Sequence, residues 1–461
     1  MTPTAGRALN ASGSMLPDTA ALLTQGGDAR IALDPVSGTN RYGCRPVPEP
    51  ELLDFASATA SFISPGAFDA ADRLRVHLSE ALRHASPSTV YADALARLRT
   101  ELLKLCGLED TQPQMLFAPS GTDLHCLAAQ RMLARSPQPL RVISVEENET
   151  GSGVLRTLHS MHPSPETVTV ALRLPDGTPR PAHEIDAEFS SLTHQAQAAG
   201  CQVLLIQTDI SKSGLIAPSY ACSTDLKRTY GARLEVMIDA CQFRLAPDTL
   251  RACLAHGYSI ALTGSKFVGG PSFSGVLLIP SEENETPTAP LDATPNFGLV
   301  LRWEAALYEL RAFRSVPESV ITDLLYRFAR VLQDRLNRDP AFIPIVTPPL
   351  QRSTLGLKQN WDCIQTVFPF LLRQPDGFGW KTLDTDQTTQ VYKALPHAST
   401  RCQLAQPIHC TNDYSALRLC LSARQIVQAS KPDGIAHLLD QAQRVLDQAA
   451  KLAALVNLPS R

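Results

Sequence analysis

Lys266 stands in Thr263-Gly264-Ser265-Lys266-Phe267-Val268-Gly269-Gly270, 27 positions after Asp239 of Ile238-Asp239-Ala240-Cys241-Gln242. An amine set among small hydroxylated residues and glycines can condense with an aldehyde and then carry a proton. A solvated or phosphate-binding loop lysine is the plainer alternative. Asp239 closes an apolar run, where a carboxylate is costly unless a cation faces it. A protonated ring nitrogen is such a cation; a capped turn is the ordinary reading. A third element, Ser120-Gly121-Thr122, follows a short apolar run and opens a helical stretch. Small residues there let an anion approach free amides at the positive helix end, or they simply cap the helix. Each element is ambiguous alone, and their order at the ends of successive strands makes them informative.

These positions need a scaffold. Short apolar runs at 115–118, 142–145, 168–172, 203–206, 236–238, 260–262 and 276–279 are separated in several places by helical stretches, among them 123–134, 187–199, 223–230 and 247–255. That rhythm predicts an α/β layer, a mostly parallel central sheet sandwiched by helices. Ligands of such sheets collect at the carboxyl ends of the strands. A helix over 90–106, stopped by Gly107, precedes the layer. Beyond Asn296 the chain is helix-rich from 299 to 336 and then mixed, with runs at 366–371 and 416–421 and a helix over 434–454, as in a smaller α+β unit. The expected division is an arm over 1–50, a helical part of the small domain over 51–110, the large α/β domain over 111–298 and the small α+β domain over 299–461.

At 461 residues, with 44% hydrophobic and 19% charged content, the chain has the composition of a globular protein of more than one domain. A net charge of −3 without any basic run gives no attraction to nucleic acid or acidic membranes, so neither partner is expected. The eleven cysteines are scattered and form no CxxC pair. This argues against a disulfide framework or a metal site and for reduced thiols in a cytoplasmic protein. No apolar run approaches the roughly eighteen residues of a membrane span, and the N-terminus lacks the apolar core of a signal peptide.

Taken together, Ser120-Gly121-Thr122, Asp239-Ala240-Cys241-Gln242 and Thr263-Gly264-Ser265-Lys266 resemble the phosphate, ring and lysine motifs of fold-type I pyridoxal-phosphate enzymes. Within these the chain is most similar to the class V aminotransferase and cysteine desulfurase superfamily. Its Asp-Ala-x-Gln is intact, and its Ser-x-His-Lys is present as Thr263-Gly264-Ser265-Lys266. The resemblance spans about residue 85 to the C-terminus and implies pyridoxal 5'-phosphate as cofactor. It implies that Lys266 joins the cofactor aldehyde as a Schiff base and moves protons, and that Asp239 pairs with the ring nitrogen. Gln242 would reach the ring hydroxyl, while Ser120, Gly121, Thr122, Thr263 and Ser265 would hold the phosphate. Thr294, in Ala293-Thr294-Pro295-Asn296, resembles an element that reaches a neighbouring subunit's phosphate, which implies a homodimer with shared sites. Arg418 resembles the arginine that clamps a substrate carboxylate through its fork.

Several positions depart from the family pattern. Where an aromatic residue or histidine usually stacks on the ring, the chain has Val145-Glu146-Glu147-Asn148-Glu149, so Glu147 or Asn148 is expected there, with His125 as a further candidate. Gln207-Thr208-Asp209-Ile210-Ser211 lacks the usual asparagine and leaves Ser211 or Asp209 to meet the ring edge. Arg244 is read either as a ligand of a second acidic substrate group or as an ordinary salt bridge. In the arm, Arg41, Tyr42 and Arg45 either cover the site or lie on the surface.

The scaffold does not fix the reaction. The first expectation is an aminotransferase-like enzyme acting on an amino acid or related amine. The alternative is desulfurase-type C–S cleavage, which calls for a thiolate on a loop above the cofactor. Thr400-Arg401-Cys402-Gln403-Leu404-Ala405-Gln406-Pro407 resembles that loop, with Leu404 at the nucleophile's place and Cys402 two residues earlier. A cysteine in a structural turn is the plainer reading of Cys402. A decarboxylase and a cofactor-binding regulatory protein complete the alternatives.

Overall fold

Short runs with an apolar centre become strands covered on both faces. Gln202–Asp209 and Ser259–Thr263 are buried along their whole length, as expected for the middle of a parallel sheet. The computed structural model describes residues 16–58, 60, 62–151, 153–281, 294–377, 379–411 and 413–456. The start of the arm before residue 16, and Ala293 beside Thr294, lie outside the described residues.

The larger sheet has the order Gln114–Ala118, Gly275–Ile279, Ser259–Thr263, Leu234–Asp239, Gln202–Asp209, Leu140–Val145, Glu166–Val170, with the short Ile216–Ala217 beside Gln202–Asp209. The pairings from Ser259–Thr263 across to Glu166–Val170 are parallel. Gly275–Ile279 runs antiparallel to both its neighbours. The run read at 168–172 is shifted to Glu166–Val170. Only Val170 of this edge strand is buried, and its polar residues extend it ahead of the apolar run that marked it.

Helices lie on both faces of this sheet. The helix Gly121–Arg135 is fixed by a reciprocal cap: Ser120 Oγ accepts from the Asp123 amide at 3.3 Å, and Asp123 Oδ2 accepts from the Ser120 amide at 2.9 Å. The helix Phe297–Arg314 is buried nearly all round and packs on the turn that carries Lys266. A Cβ on Gly264 or Gly270 would meet the Ala306 Cβ at 2.6 and 2.7 Å, so both glycines are required by this close approach. Lys266 itself has φ 56°. That conformation costs a side-chain-bearing residue roughly 1–2 kcal/mol, and such strain clusters at functional sites.

A second, six-stranded sheet contains Leu53–Phe55, Cys402–His409, Ser415–Cys420, Val367–Asp376 and Phe342–Pro344 in that order, with Gly379–Thr382 paired to Val367–Asp376. The segment expected to form a loop around Cys402 is therefore a strand. Cys402 pairs with Leu53 and is fully buried. A register shift between Ala405 and Ile408 turns Gln406 and Pro407 toward the larger sheet.

Two buried arginines tie the layers together. Arg244 donates to Gln242 Oε1, Thr366 Oγ1, the Leu421 carbonyl and Ser57, at 2.8–3.2 Å. Its donors are committed to the scaffold, which corrects the reading of Arg244 as a ligand of substrate. Arg352 binds both oxygens of Asp209, at 2.5 and 2.9 Å, and Tyr220 donates to the same carboxylate at 2.8 Å. Asp209 is thereby a structural anchor instead of a ring contact.

The arm is not loose where it is described. Thr19–Leu23 is a short helix. Beyond it Arg302, fully buried, donates to the carbonyls of Leu23, Gln25, Gly26 and Phe273 at 2.5–3.3 Å. Asn296 Nδ2 adds a bond of 2.8 Å to Gly26. Among the described residues no helix is long and apolar enough to cross a membrane.

Candidate active site

The carboxyl ends of Leu234–Asp239 and Ser259–Thr263 and the N-terminus of Gly121–Arg135 open on one cavity of about 260 Å³. Asp239, Gln242, Thr263, Ser265 and Lys266 line it, as do Ser120, Gly121 and Thr122. The structure thus gathers residues from 120 to 266 at one place. Lys266 and Asp239 are near enough for the lysine ammonium to bear on the carboxylate.

Asp239 is buried and surrounded by donors. Thr150 Oγ1 lies 3.1 Å from Oδ2, the Cys241 amide 3.2 Å from Oδ1, and His125 Nε2 3.4 Å from Oδ2. Burial alone would push its acidity down, but the His125 imidazole, Lys266 and the Cys241 thiol prevail and hold the carboxyl well below the usual carboxylate range. The group is a fixed anion at the back of the cavity. His125 Nδ1 is 2.8 Å from the Gly121 carbonyl, so it carries the proton of that bond, while Nε2 has no well-formed hydrogen bond. His125 thus lines the cavity beside Asp239.

The small-residue positions form a cradle. A Cβ on Gly121 would come within 2.8 Å of Cys241 Sγ and 3.4 Å of Thr263 Cγ2. Thr263 Oγ1 donates to the Cys241 carbonyl at 2.5 Å, and Ser265 Oγ to Thr263 Oγ1 at 3.3 Å. Ser120 is largely engaged in its cap, leaving Gly121 and Thr122 to face the cavity. Gln242 donates to the Ser211 carbonyl at 3.1 Å and accepts from Arg244, so its amide is partly committed. Thr208 Oγ1, buried at the end of Gln202–Asp209, lines the cavity with no hydrogen-bond partner.

Other expectations are corrected. Glu147 and Asn148 are exposed and do not line the cavity; Glu149 and Thr150 do. The chain turns back after Val145, so that the fourth and fifth residues beyond the strand point inward. Ser211 is buried behind the wall, donating 2.7 Å to Glu149 Oε2. Glu149 also accepts from the Ser213 amide and hydroxyl and lies 3.4 Å from Arg173. This knot fixes the segment around Lys212, whose amide donates to the Glu149 carbonyl at 2.8 Å. Thr294 is exposed and outside the cavity of its own chain.

The opposite wall comes from the second sheet and the arm. Arg418 is buried, donates to the Gln406 carbonyl at 2.9 Å and to the Lys212 carbonyl at 3.2 Å, and faces the cavity. Lys212 Nζ donates to the Glu147 carbonyl at 3.0 Å. Burial, then the Arg418 and Lys266 charges, push the Lys212 ammonium down to about 8. Arg30 and Tyr42 of the arm also line the cavity, whereas Arg41 does not and Arg45 borders a separate small pocket. Sequence reasoning passed over Glu149, Thr150, Lys212 and Arg30. The polar string 146–150 after a strand end was the available signal for the first two, and nothing local marks the others.

Among the described residues no group of side chains could hold a metal ion. The donor set does fit a phosphorylated aromatic aldehyde: an amine, a carboxylate for a ring nitrogen, a glycine cradle at a helix end, and an unsatisfied buried hydroxyl.

No family model matches the sequence, and no curated protein does. The fold does have solved counterparts. A NifS-like protein shares 12% identity at a TM-score of 0.54, over 86% of this chain and 99% of that one. The apo cysteine desulfurase of Thermococcus onnurineus NA1 shares 12% at 0.55, over 86% and 95%. A C-DES mutant with glycine covalently linked to its PLP cofactor shares 15% at 0.55, over 86% and 96%. The chain therefore has the fold of the fold-type I pyridoxal-phosphate enzymes.

Proposed function

We propose that this chain is a pyridoxal 5'-phosphate-dependent enzyme that cleaves a carbon–sulfur bond of an amino acid by β-elimination. The observation that carries the cofactor is Lys266, strained and set beside the fixed anion Asp239 over a glycine cradle. The cofactor, when bound, supplies an electron sink for the carbanion at Cα.

The chain's own residues divide the remaining work. Arg418 holds the α-carboxylate, and Lys212 adds a second cation beside it. Lys266 Nζ takes the Cα proton. The Cβ–S bond then breaks with its electron pair on sulfur, which leaves, once protonated, as hydrogen sulfide from cysteine or as a thiol from an S-substituted cysteine. The three-carbon remainder hydrolyses to pyruvate and ammonium. Asp239 keeps the ring nitrogen protonated, and Thr150, His125 and the Cys241 amide keep Asp239 ionised.

Comparison with desulfurases supports C–S cleavage over the transamination first expected. The thiols support elimination over sulfur transfer to a protein cysteine. Cys402 is fully buried in its strand, and burial pushes it up to about 12. Cys241 lines the cavity, but burial and then Asp239 hold its thiol far above the usual value. Neither provides the exposed thiolate that sulfur transfer requires. In the homodimer that the resemblance implies, the exposed Thr294 would serve the partner's site.

The test is product analysis with cysteine, cystine and S-substituted cysteines. Pyruvate is expected in equal amount with the released sulfur fragment: sulfide from cysteine, thiocysteine from cystine and a thiol from S-substituted cysteines. Formation of alanine, or dependence on an added 2-oxo acid, would sink the reading in favour of desulfuration or transamination respectively.

A further inference from the structure

Arg30 belongs to the arm, which the motifs leave unexplained, yet it reaches the end of the cavity where the helix Gly121–Arg135 begins. A Cβ on Gly153 would lie 3.5 Å from Arg30 Nη1 and 3.5 Å from Thr122 Oγ1, so the two groups border the same space. The guanidinium is held in place from behind. Nε and Nη2 bind the Asp28 carboxylate at 2.5–2.9 Å, and the plane lies 5.2 Å from the Phe273 ring centroid. The Tyr42 phenol lies beside it. Phe273 in turn is fastened through its carbonyl to Arg302, the anchor of the arm. Nη1 thus borders the space beside Thr122 and Gly153, and the rest of the guanidinium is held by a fixed set of contacts.

We propose that Arg30 is a phosphate-recognising residue, carried by the N-terminal arm to the anion cradle of its own chain. The proposal rests on the pyridoxal-phosphate reading of the site. The cradle otherwise offers neutral donors: the amides at the helix end and the hydroxyls of Thr122, Thr263 and Ser265. A dianion there calls for a cation, and a planar guanidinium with one edge committed to a carboxylate can present the other to phosphate oxygens. Asp28 opposes this charge at longer range and orients the fork. It follows that the cofactor's phosphate is gripped by the arm and the larger sheet together, while Arg418 and Lys212 remain for substrate.

The test compares two ligands that differ only in the phosphate. Full-length apo-protein, wild type and the Arg30→Met and Arg30→Lys variants, is titrated with pyridoxal 5'-phosphate and with pyridoxal, following the absorbance of the bound aldehyde. Borohydride trapping identifies the attachment site, and thermal unfolding of each apo-protein controls for folding. Arg30→Met is expected to weaken pyridoxal 5'-phosphate by about ten- to a hundredfold, the size of one charge-assisted contact, and to leave pyridoxal unchanged. Arg30→Lys should recover part of the loss. Equal losses for both ligands, or no loss, with the wild type still trapped at Lys266, would overturn the role of Arg30 alone. Failure of the wild type to trap the phosphorylated aldehyde at Lys266 would remove the reading of the site and this proposal with it.

Discussion

The sheet wall of the cavity carries Asp239, Thr263 and Lys266, and the facing wall carries Arg418, Gln406 and the arm. The first is made by neighbouring strands and their turns, within one stretch of chain. Its residues are fixed by short hydrogen bonds and by glycines that let the helix Phe297–Arg314 press on the lysine turn. The second is assembled across long separations: Arg418 reaches Lys212 over 206 positions, and Arg302 reaches the arm over 279. The proposed reactive groups therefore sit on the rigid element, while Arg418 and Arg30, proposed to hold the substrate carboxylate and to complete the phosphate cradle, sit on the one that must be docked.

The contrast can be broken most completely at Lys266. Lys266→Ala is expected to abolish borohydride trapping and to lower turnover by at least about a hundredfold, with the far-ultraviolet spectrum unchanged. The docking contacts are next. Arg352→Met leaves Asp209 buried without its cation, and should cost about 3–5 kcal/mol in denaturant unfolding; a loss under about 1 kcal/mol, the range of exposed pairs, would mean that this tie is dispensable. Arg418→Met should raise KM for the amino acid by about ten- to a hundredfold with a smaller change in kcat; an equal fall in kcat would place Arg418 in the chemistry instead.

Lys212 sharpens the comparison through pH. With its ammonium pushed down to about 8 by burial, Arg418 and Lys266, it is charged below that pH and neutral above it. Affinity for carboxylate inhibitors should fall as pH rises through about 8, and Lys212→Met should erase that step. Glu149 and Glu147 are the acidic groups acting on Lys212, both favouring its charged form. The smallest effect is expected for Cys402→Ser, which should leave C–S cleavage intact while modestly lowering stability, because a hydroxyl replaces a buried thiol between strands. Loss of sulfur release in that variant would restore sulfur transfer as the reaction.

The same division explains what could be read in the sequence. Strand ends followed by small residues mark themselves locally, so Ser120-Gly121-Thr122, Asp239 and Lys266 were legible together with the α/β layer. Gly434–Leu455 and Pro247–Ala255 were legible from helical periodicity to within a residue of their ends. Glu147 was mistaken for its neighbour Glu149 because the turn after Val145 has no periodicity from which to count. Cys402 was read as part of a loop because its strand is completed by Leu53–Phe55, hundreds of residues earlier. Arg30 and Lys212 carry no local signature: what makes them site residues is the Asp28–Phe273 bracket in one case and the Glu149 knot in the other.

The anchoring of the arm by Arg302 also sets an order of events during synthesis. Residues 23–26 leave the ribosome early, yet the guanidinium that binds their carbonyls is made 279 positions after Leu23. Residues 23–26 cannot be seated until the helix Phe297–Arg314 exists, so this part of the arm joins the fold only after the strands of the larger sheet have all been made.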